Sequence, residues 1–418
     1  MRIFLAIPFS PHPGFSSNLW KANLHDPLVE MGHDVALWGG ADLLPLYDLD
    51  PAAPATAPVR EAFGARFVAA VERAHRERTL DLVLTYLSDS HIVPAAVDAV
   101  RERVAPALNF FCNNIHQFHL VRRIAPHFTA CLVPEREALE RYRNAGARPI
   151  FFPMAANPNV YRPQSLPQLH DTTFAGVRYA DRAPAMLALR EAGVDAHAFG
   201  MGWAPDAGRS APGGQRGALA DAARLLSSAL HGRNPAIAFR DRRAWNTLCA
   251  RHPQAVHGPV TDEDYVALFS RSRISLGFLV LGDTHRTWRP LRQVRLREFE
   301  GPMAGGFYVT GWIEELAEHY EVGREIVCYR SHAELVDLCR YYLAHPDERE
   351  RIRRAGHARA LRDHTWRRRF EKLFETLRAE ASCARPNPRP RARAVPGPRP
   401  WRRAARHRRR AASHPSRS

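Results

Sequence analysis

Short continuous apolar runs recur along this chain, and most are followed by a stretch with helical spacing of its apolar positions. The first run, RIFLAI at 2–7, is of the kind buried on both faces of a parallel sheet. A loop at 8–17 rich in Pro, Ser and Gly comes next. The spacing then predicts a helix over 18–31, closed by Gly32, and a second strand over 34–38. This is a β-loop-α-β opening. Further strands are predicted at 81–86, 107–111, 131–134 and 149–152, with a helix at 135–145. The alternation then starts again. Strands are predicted at 172–176, 196–199, 274–278 and 307–310, and helices at 182–192, 262–271, 292–299 and 366–377. The last places Trp366, Phe370, Leu373, Phe374 and Leu377 on one face. Residues 204–217 read as a loop and 218–257 as helical. The class is therefore α/β, with the pattern doubled along the chain and no other repeat.

Length agrees with the doubling: 418 residues exceed one ordinary core and suggest two domains of roughly 150–200 residues. Hydrophobic content of 45% and aromatic content of 9% are globular values. No apolar run approaches the ~20 residues of a membrane span. The opening run is stopped by Pro8 without a cleavage-like pattern, so no signal peptide is expected. Cysteines at 112, 131, 249, 328, 339 and 383 show no regular pairing, which suggests reduced thiols and a cytoplasmic protein.

The net charge of +17 resembles a nucleic-acid signal, but its location changes that reading. Residues 381–418 hold twelve arginines and no acid, which leaves +5 on residues 1–380. This Pro/Arg-rich segment has no periodicity and cannot form a core, so a disordered tail is expected. Such a tail can touch nucleic acid or an anionic membrane surface weakly. A solvated extension is the plainer reading, since Trp401 is its one stacking surface.

The densest candidate chemistry is LREFEGPMAGGFYVTG at 296–311. Glu298 and Glu300 stand among arginines and run into a turn with Gly305 and Gly306. One reading is a helix with surface ion pairs. The other places Glu300 at a cleft edge, where a carboxylate accepts the hydroxyls of a ribose, with Arg297 and backbone N–H groups facing a diphosphate. A second cluster, CNNIHQFHL at 112–120, follows a strand. Asn113, Asn114 and His116 can hold a sugar or acceptor there, and His116 can take a proton. Asp89, also after a strand, is a rival base. Cys112, His116 and His119 are three metal-type ligands without a partner cluster, so no metal is assigned. Asn18, Trp20 and Asn23 open the first helix and border the acceptor side. The loop at 8–17 lacks GxGxxG, which argues against a simple dehydrogenase.

FEGPMAGGFYVT resembles the FE-x-x-x-CG-x-x-x-x-T stretch of group 1 glycosyltransferases, in the branch called spore-maturation CgeB-like. The likeness continues through YEVGREIVCYR at 320–330, YYLAHPDER at 341–349, Ala355-Gly356 and His364-Thr-Trp366. Upstream, NFFCNNIHQFH at 109–119, Tyr179-Ala-Asp-Arg182 and Gly200-Met-Gly-Trp203 are also similar. It covers nearly all of 1–380 and fits 204–250 and the tail poorly.

The resemblance implies the GT-B architecture: two Rossmann-like domains facing across a cleft, followed by the disordered basic tail. The implied division is an acceptor-side domain at 1–165, a donor-nucleotide domain at 166–355, a terminal helix at 356–380 packing back toward the first domain, and the tail at 381–418. It implies transfer of a sugar, of hexosyl type, from a nucleoside-diphosphate sugar to an unidentified glycan, protein or small molecule. No bound metal or other cofactor takes part. The donor-binding set is then Gly176, Arg178, Tyr179, Arg182, Arg297, Glu300, Gly305 and Gly306. Gly176 lets the backbone approach, and Arg178 and Arg182 offer guanidinium groups to phosphate. One departure stands out. The wider family carries a second glutamate eight positions before the one matching Glu300, and this chain has Arg292 there. Asp283 or His285 then stands in as a sugar contact. The alternative is a non-catalytic binding protein with a degenerate transferase core, whose tail is the interacting part.

Overall fold

A computed structural model describes residues 1–8, 18–39, 46, 49–204 and 234–383, apart from the side chains of Asp283 and residues 381–383. The first half is a six-stranded, fully parallel sheet built from β1 (Arg2–Ala6), β2 (Asp34–Leu37), β3 (Leu82–Thr85), β4 (Ala107–Phe110), β5 (Ala130–Val133) and β6 (Pro149–Phe151). Their order is β2-β1-β3-β4-β5-β6. The central strands are apolar at nearly every position because helices cover both faces. The second half repeats the plan with β7 (His170–Ala175), β8 (Ala196–Phe199), β9 (Val256–His257), β10 (Ser272–Leu276), β11 (Tyr308–Gly311) and β12 (Val327–Tyr329). Its order is β12-β11-β10-β7-β8-β9, again all parallel. This is the doubled Rossmann-like architecture the sequence pattern predicts.

The helices that position the site are α1 (Asp26–Glu30), α2 (Asn114–Gln117), α3 (Arg182–Glu191), α4 (Pro235–Arg251), α5 (Asp262–Arg271), α6 (Arg297–Met303), α7 (His332–Ala344), α8 (Pro346–Asp363) and α9 (Trp366–Cys383). A π-helical turn, Lys21–His25, leads into α1. Local chemistry sets several starts. Thr261 accepts the Asp264 N–H at 3.1 Å and opens α5, whose first turn carries Asp262, Glu263 and Asp264 against the positive helix end.

Two sequence expectations need correction. The helix expected over 292–299 begins at Arg297 instead. Arg292 pairs with Val280 in an antiparallel bridge, Leu281 N–H donates to Leu291, and Gln293 N–H donates to Leu279. Those bonds satisfy the backbone in extended form, so the helix waits until the ladder ends. It then runs through Pro302 and stops one residue later. The helix expected over 218–257 ends at Arg251, and Val256–His257 form an edge strand against β8. Residues 205–233 and the tail from 384 lie outside the described residues, and with them most of the expected 204–217 loop and the disordered tail.

The chain returns to its first half at Trp366, which is fully buried. Its indole Nε1–H donates to Asn23 Oδ1 at 2.7 Å, and its ring packs near Phe110, Phe152 and Phe370. The turn before it depends on a neutral histidine. His364 Nε2–H donates to the His319 carbonyl at 2.8 Å while Nδ1 accepts from Arg369 at 3.1 Å. Burial, with Arg369 beside it, pushes the His364 pKa down to about 4, as that pattern requires. Of the region expected to form one terminal helix at 356–380, residues up to Asp363 belong to α8, and α9 starts at Trp366. Among the described residues no helix is long and apolar enough to cross a membrane.

Gly356 gives a direct test of how α8 packs. A Cβ there would lie 2.2 Å from the Glu325 carbonyl oxygen, a backbone atom. In an open helix Gly→Ala stabilises by up to ~1 kcal/mol. Here Gly356→Ala is expected to destabilise by about 1–3 kcal/mol in urea unfolding. A stabilised variant would show that α8 does not press on this turn.

Candidate functional site

The C-terminal ends of β7 and β8 face residues of the first half across a cavity of about 430 Å³. From the first half it takes Trp20, Cys112 and Asn113. From the second it takes Gly176 and Val177 after β7, Phe199, Gly200 and Met201 at the end of β8, Pro259 and Val260 before α5, and Gln293, Arg295, Arg297 and Glu300. This is where parallel α/β sheets bind ligands, because loops there alternate with helix starts.

Glu300 sits in the first turn of α6 and is only 2% exposed. Its Oε2 accepts the Tyr265 hydroxyl at 2.7 Å, the Tyr161 hydroxyl is also close to the carboxylate, and Oε1 has no hydrogen-bond partner of normal geometry among the described residues. Burial raises its pKa, opposed by the Tyr161 and Tyr265 hydroxyls and the charge of Arg297. A buried carboxylate oxygen without a donor is costly, and a ligand hydroxyl would supply one.

Three arginines gather beside it. The guanidiniums of Arg182 and Arg295 lie 3.7 and 5.7 Å from the Tyr179 ring, and those of Arg182 and Arg297 lie 4.9 and 5.7 Å from the Phe174 ring. Arg295 and Arg297 line the cavity. Arg182 is fully buried beneath them, with Nη1 on the Val177 carbonyl at 2.5 Å and Nη2 on the Tyr179 hydroxyl at 2.7 Å. Burial, together with Arg295 and Arg297, pushes its pKa down to about 9. The Nε atoms of all three have no hydrogen-bond partner among the described residues. Gly176 is required at this point. A Cβ on it would meet Arg297 Nη2 at 2.6 Å and Phe174 Cζ at 2.9 Å. The result is a cationic wall beside a carboxylate, matched to a diphosphate next to a ribose.

The other wall is held by Glu135. It accepts from the Asn113 and Asn114 N–H groups at 2.8 and 3.3 Å, from Asn114 Nδ2 at 2.7 Å and from Gln293 Nε2 at 2.6 Å. Burial pushes its pKa up to about 7 despite these donors. Asn113 is left-handed (φ 65°), which asparagine tolerates, and its Oδ1 accepts from Gln293 at 3.3 Å. This network ties the first half to the segment leading into α6.

Several expected site residues are elsewhere. His116 is exposed on α2 and borders a separate depression with His119 and Arg122. The one-turn helix aims Asn114 inward to Glu135 and Tyr142, which directs His116 outward. Asp89 is 1% exposed and accepts from the backbone N–H groups of Arg123 and Ile124, so it fastens a loop, and burial pushes its pKa up to about 6. Arg178 turns away from the cavity, with its guanidinium 4.1 Å from the Trp245 ring and Nε on the Gly202 carbonyl. His285 is buried against Asp241 at 2.5 Å, and the Asp283 side chain lies outside the described residues. Gly305 (φ 73°) and Gly306 close α6 into β11 and do not line the cavity. Asn23 is buried under Trp366. The cavity keeps Trp20, Asn113, Gly176, Arg297 and Glu300 from the expected residues, with Tyr179 and Arg182 as support.

Tyr265, Gln293, Arg295 and Glu135 are additions with no signal of their own in the sequence. Gly200-Met201-Gly202 after β8 did carry one, as a strand ending in paired glycines. As to metals, the Cys112 thiol meets the Tyr86 hydroxyl at 3.0 Å, and burial pushes its pKa up to about 12. His170, Asp195 and His197 have ligand atoms within 4.8 Å of one another. Asp195 there also holds Arg190, and none of the three lines the cavity.

Residues 188–375 match the model of a family described as glycosyl transferase-like. A comparison with curated proteins finds no significant match. Among solved structures, a sucrose-phosphate synthase from Thermosynechococcus elongatus superposes with a TM-score of 0.54 at 15% identity, covering 92% of this chain and 100% of that one. The HepE protein of Anabaena in complex with UDP-glucose gives 0.51 at 12% identity, covering 90% and 99%. AviGT4, a glycosyltransferase involved in avilamycin A biosynthesis, gives 0.52 at 17% identity, covering 92% and 98%. The fold is GT-B: two Rossmann-like halves, as in these neighbours.

Proposed function

We propose that this chain is a glycosyltransferase that takes its sugar from a nucleoside-diphosphate donor held in the cavity between the two halves. The observation that carries the reading is the unpartnered Glu300 Oε1 beside the cationic wall of Arg295 and Arg297. Glu300 accepts ribose hydroxyls. The arginines hold the diphosphate and stabilise it as it leaves, so the reading needs no divalent cation. The apolar segment from Phe199 to Met201, with Pro259 and Val260, faces the base. Uridine is the first choice of base, since a neighbour of the same fold, the HepE protein, is in complex with UDP-glucose. Hexosyl transfer and the CgeB-like branch stay part of the proposal, resting on the motifs around Glu300 and Trp366.

The full-length protein is titrated with UDP, GDP, CDP, dTDP and ADP in a thermal-shift assay containing a chelator. A saturating ligand at ~100 times its dissociation constant adds about 2.7 kcal/mol. A shift with UDP above the others is expected. No shift with any nucleotide would overturn the reading in favour of a binding protein that acts through its basic tail.

The cavity also bears on stereochemistry. Asp262 and Glu300 are its only carboxylates among the described residues, and no histidine lines it. Glu300 already holds Tyr265 and faces ribose. Retention follows if the acceptor oxygen bonds to the anomeric carbon, the bond to the phosphate breaks, and the departing phosphate oxygen takes the hydroxyl proton. Proton NMR of the first product is expected to show the donor's anomeric configuration. An inverted product would require a base outside this cavity.

A further inference from the structure

A second cavity, of about 440 Å³, opens beside the first at the ends of β10, β11 and β12. The arginine wall separates the two. Arg295 lines the first cavity and donates to the carbonyl of Val280, which lines the second, at 3.2 Å. Arg182 lies beneath the wall, and its neighbour Asp181 faces the second cavity. Arg292 and Gln293 are consecutive and line one cavity each. A donor sugar is bonded directly to its terminal phosphate. A sugar joined to phosphates held on Arg295 would extend toward the second cavity, since Arg295 bridges the two linings.

Resting on the nucleotide-sugar reading, we propose that this cavity selects a sugar bearing a carboxylate, a glycuronosyl donor, with Arg292 as the partner of that carboxylate. Arg292 is exposed where it lines this cavity, and its guanidinium makes no hydrogen bond or ion pair among the described residues, so it is free to meet a ligand. Arg330 adds a second cation, 4.8 Å from the Trp312 ring; its guanidinium lies 3.9 Å from Glu334, whose carboxylate also accepts the Arg330 backbone N–H at 2.7 Å. The one carboxylate in the lining, Asp181, is already bonded to His332 at 3.1 Å and does not neutralise Arg292. Burial would raise the Asp181 pKa, but the His332 bond outweighs it and keeps the group ionised. The lining is therefore cationic in excess. A neutral hexose offers hydroxyls that gain little from two guanidiniums. A sugar carboxylate matches the planar fork of Arg292 in a bidentate pair.

Affinities of the full-length protein are measured by calorimetry for UDP, UDP-glucose, UDP-glucuronate and UDP-galacturonate, and for free glucuronate with UDP bound. A uronate donor is expected to bind at least ~10-fold tighter than UDP-glucose, a preference worth about 1.4 kcal/mol. Arg292→Gln should erase the preference and Arg292→Glu should reverse it, both leaving UDP itself unchanged, which also shows that the variants are folded. Equal affinity for UDP-glucose and the uronates, or a preference that survives in Arg292→Gln, overturns the proposal while the nucleotide reading stands. Free glucuronate binding the UDP complex as tightly as the uronate gain implies would place the acid on the acceptor and overturn it as well. Absence of UDP binding removes both readings together.

Discussion

Glu300→Ala is expected to weaken UDP binding by at least ~100-fold, the largest loss of affinity from any single side chain in the cavity. A hydrogen bond to a charged group is worth about 1.5–3 kcal/mol, and in the proposed donor site two ribose hydroxyls would converge on this carboxylate. The loss is distinguishable from general damage. The intact protein should favour UDP over 2′-deoxy-UDP, and the variant should treat the two alike, because the discriminating oxygen is gone. Glu300→Gln, which keeps an acceptor for Tyr265, should fall between. An alanine variant that binds UDP as well as the parent would move the ribose away from α6 and remove the main support for the donor site. The substitution also leaves the Tyr265 hydroxyl without its acceptor, so a stability loss of about 1–3 kcal/mol accompanies it.

The second large effect is on stability. Trp366→Ala is expected to cost about 3–5 kcal/mol, read as a lower urea midpoint at constant slope. The indole is fully buried between Phe110, Phe152 and Phe370, and its N–H is the partner of Asn23 Oδ1. Removing it opens a cavity and leaves the buried Asn23 amide oxygen without its indole donor. Trp366→Phe retains most of the packing and loses the hydrogen bond, so about 1–3 kcal/mol is expected. A loss below about 1 kcal/mol for the alanine variant would mean that the start of α9 does not anchor the first half.

The strands were legible because fully buried parallel strands need continuous apolar runs, and LVLT, ALNF and ACLV have them. Glu300 and Arg297 were candidates from their pattern, which fits a helix with surface ion pairs equally well, and Gly176 entered through the family resemblance. Their place on one cavity came from the structure. His116 shows the opposite case. It lies in the polar cluster that does reach the cavity, but α2 is a single turn. The inward bonds of Asn114 decide which side chain faces the cavity, and their partners Glu135 and Tyr142 are 21 and 28 residues away. Arg178 and Arg182 bracket one loop and read alike in sequence. Trp245, from a helix more than sixty residues on, draws Arg178 off, and Phe174 and Tyr179 hold Arg182 below the cavity.

The sequence by itself determined the class of fold, the doubling of the sheet, the carboxylate and arginines around α6, and the placement of the excess charge beyond residue 380. These follow from local spacing and composition, which a single chain displays in order. Only the tertiary structure decided which of those groups share a cavity, that Arg295 and Gln293 join them, that His116, Asp89 and Arg178 do not, and that Arg292 lines a second cavity beside the first. Such facts depend on bonds between residues far apart in sequence, and on which polar atoms remain without a partner once the two halves have packed.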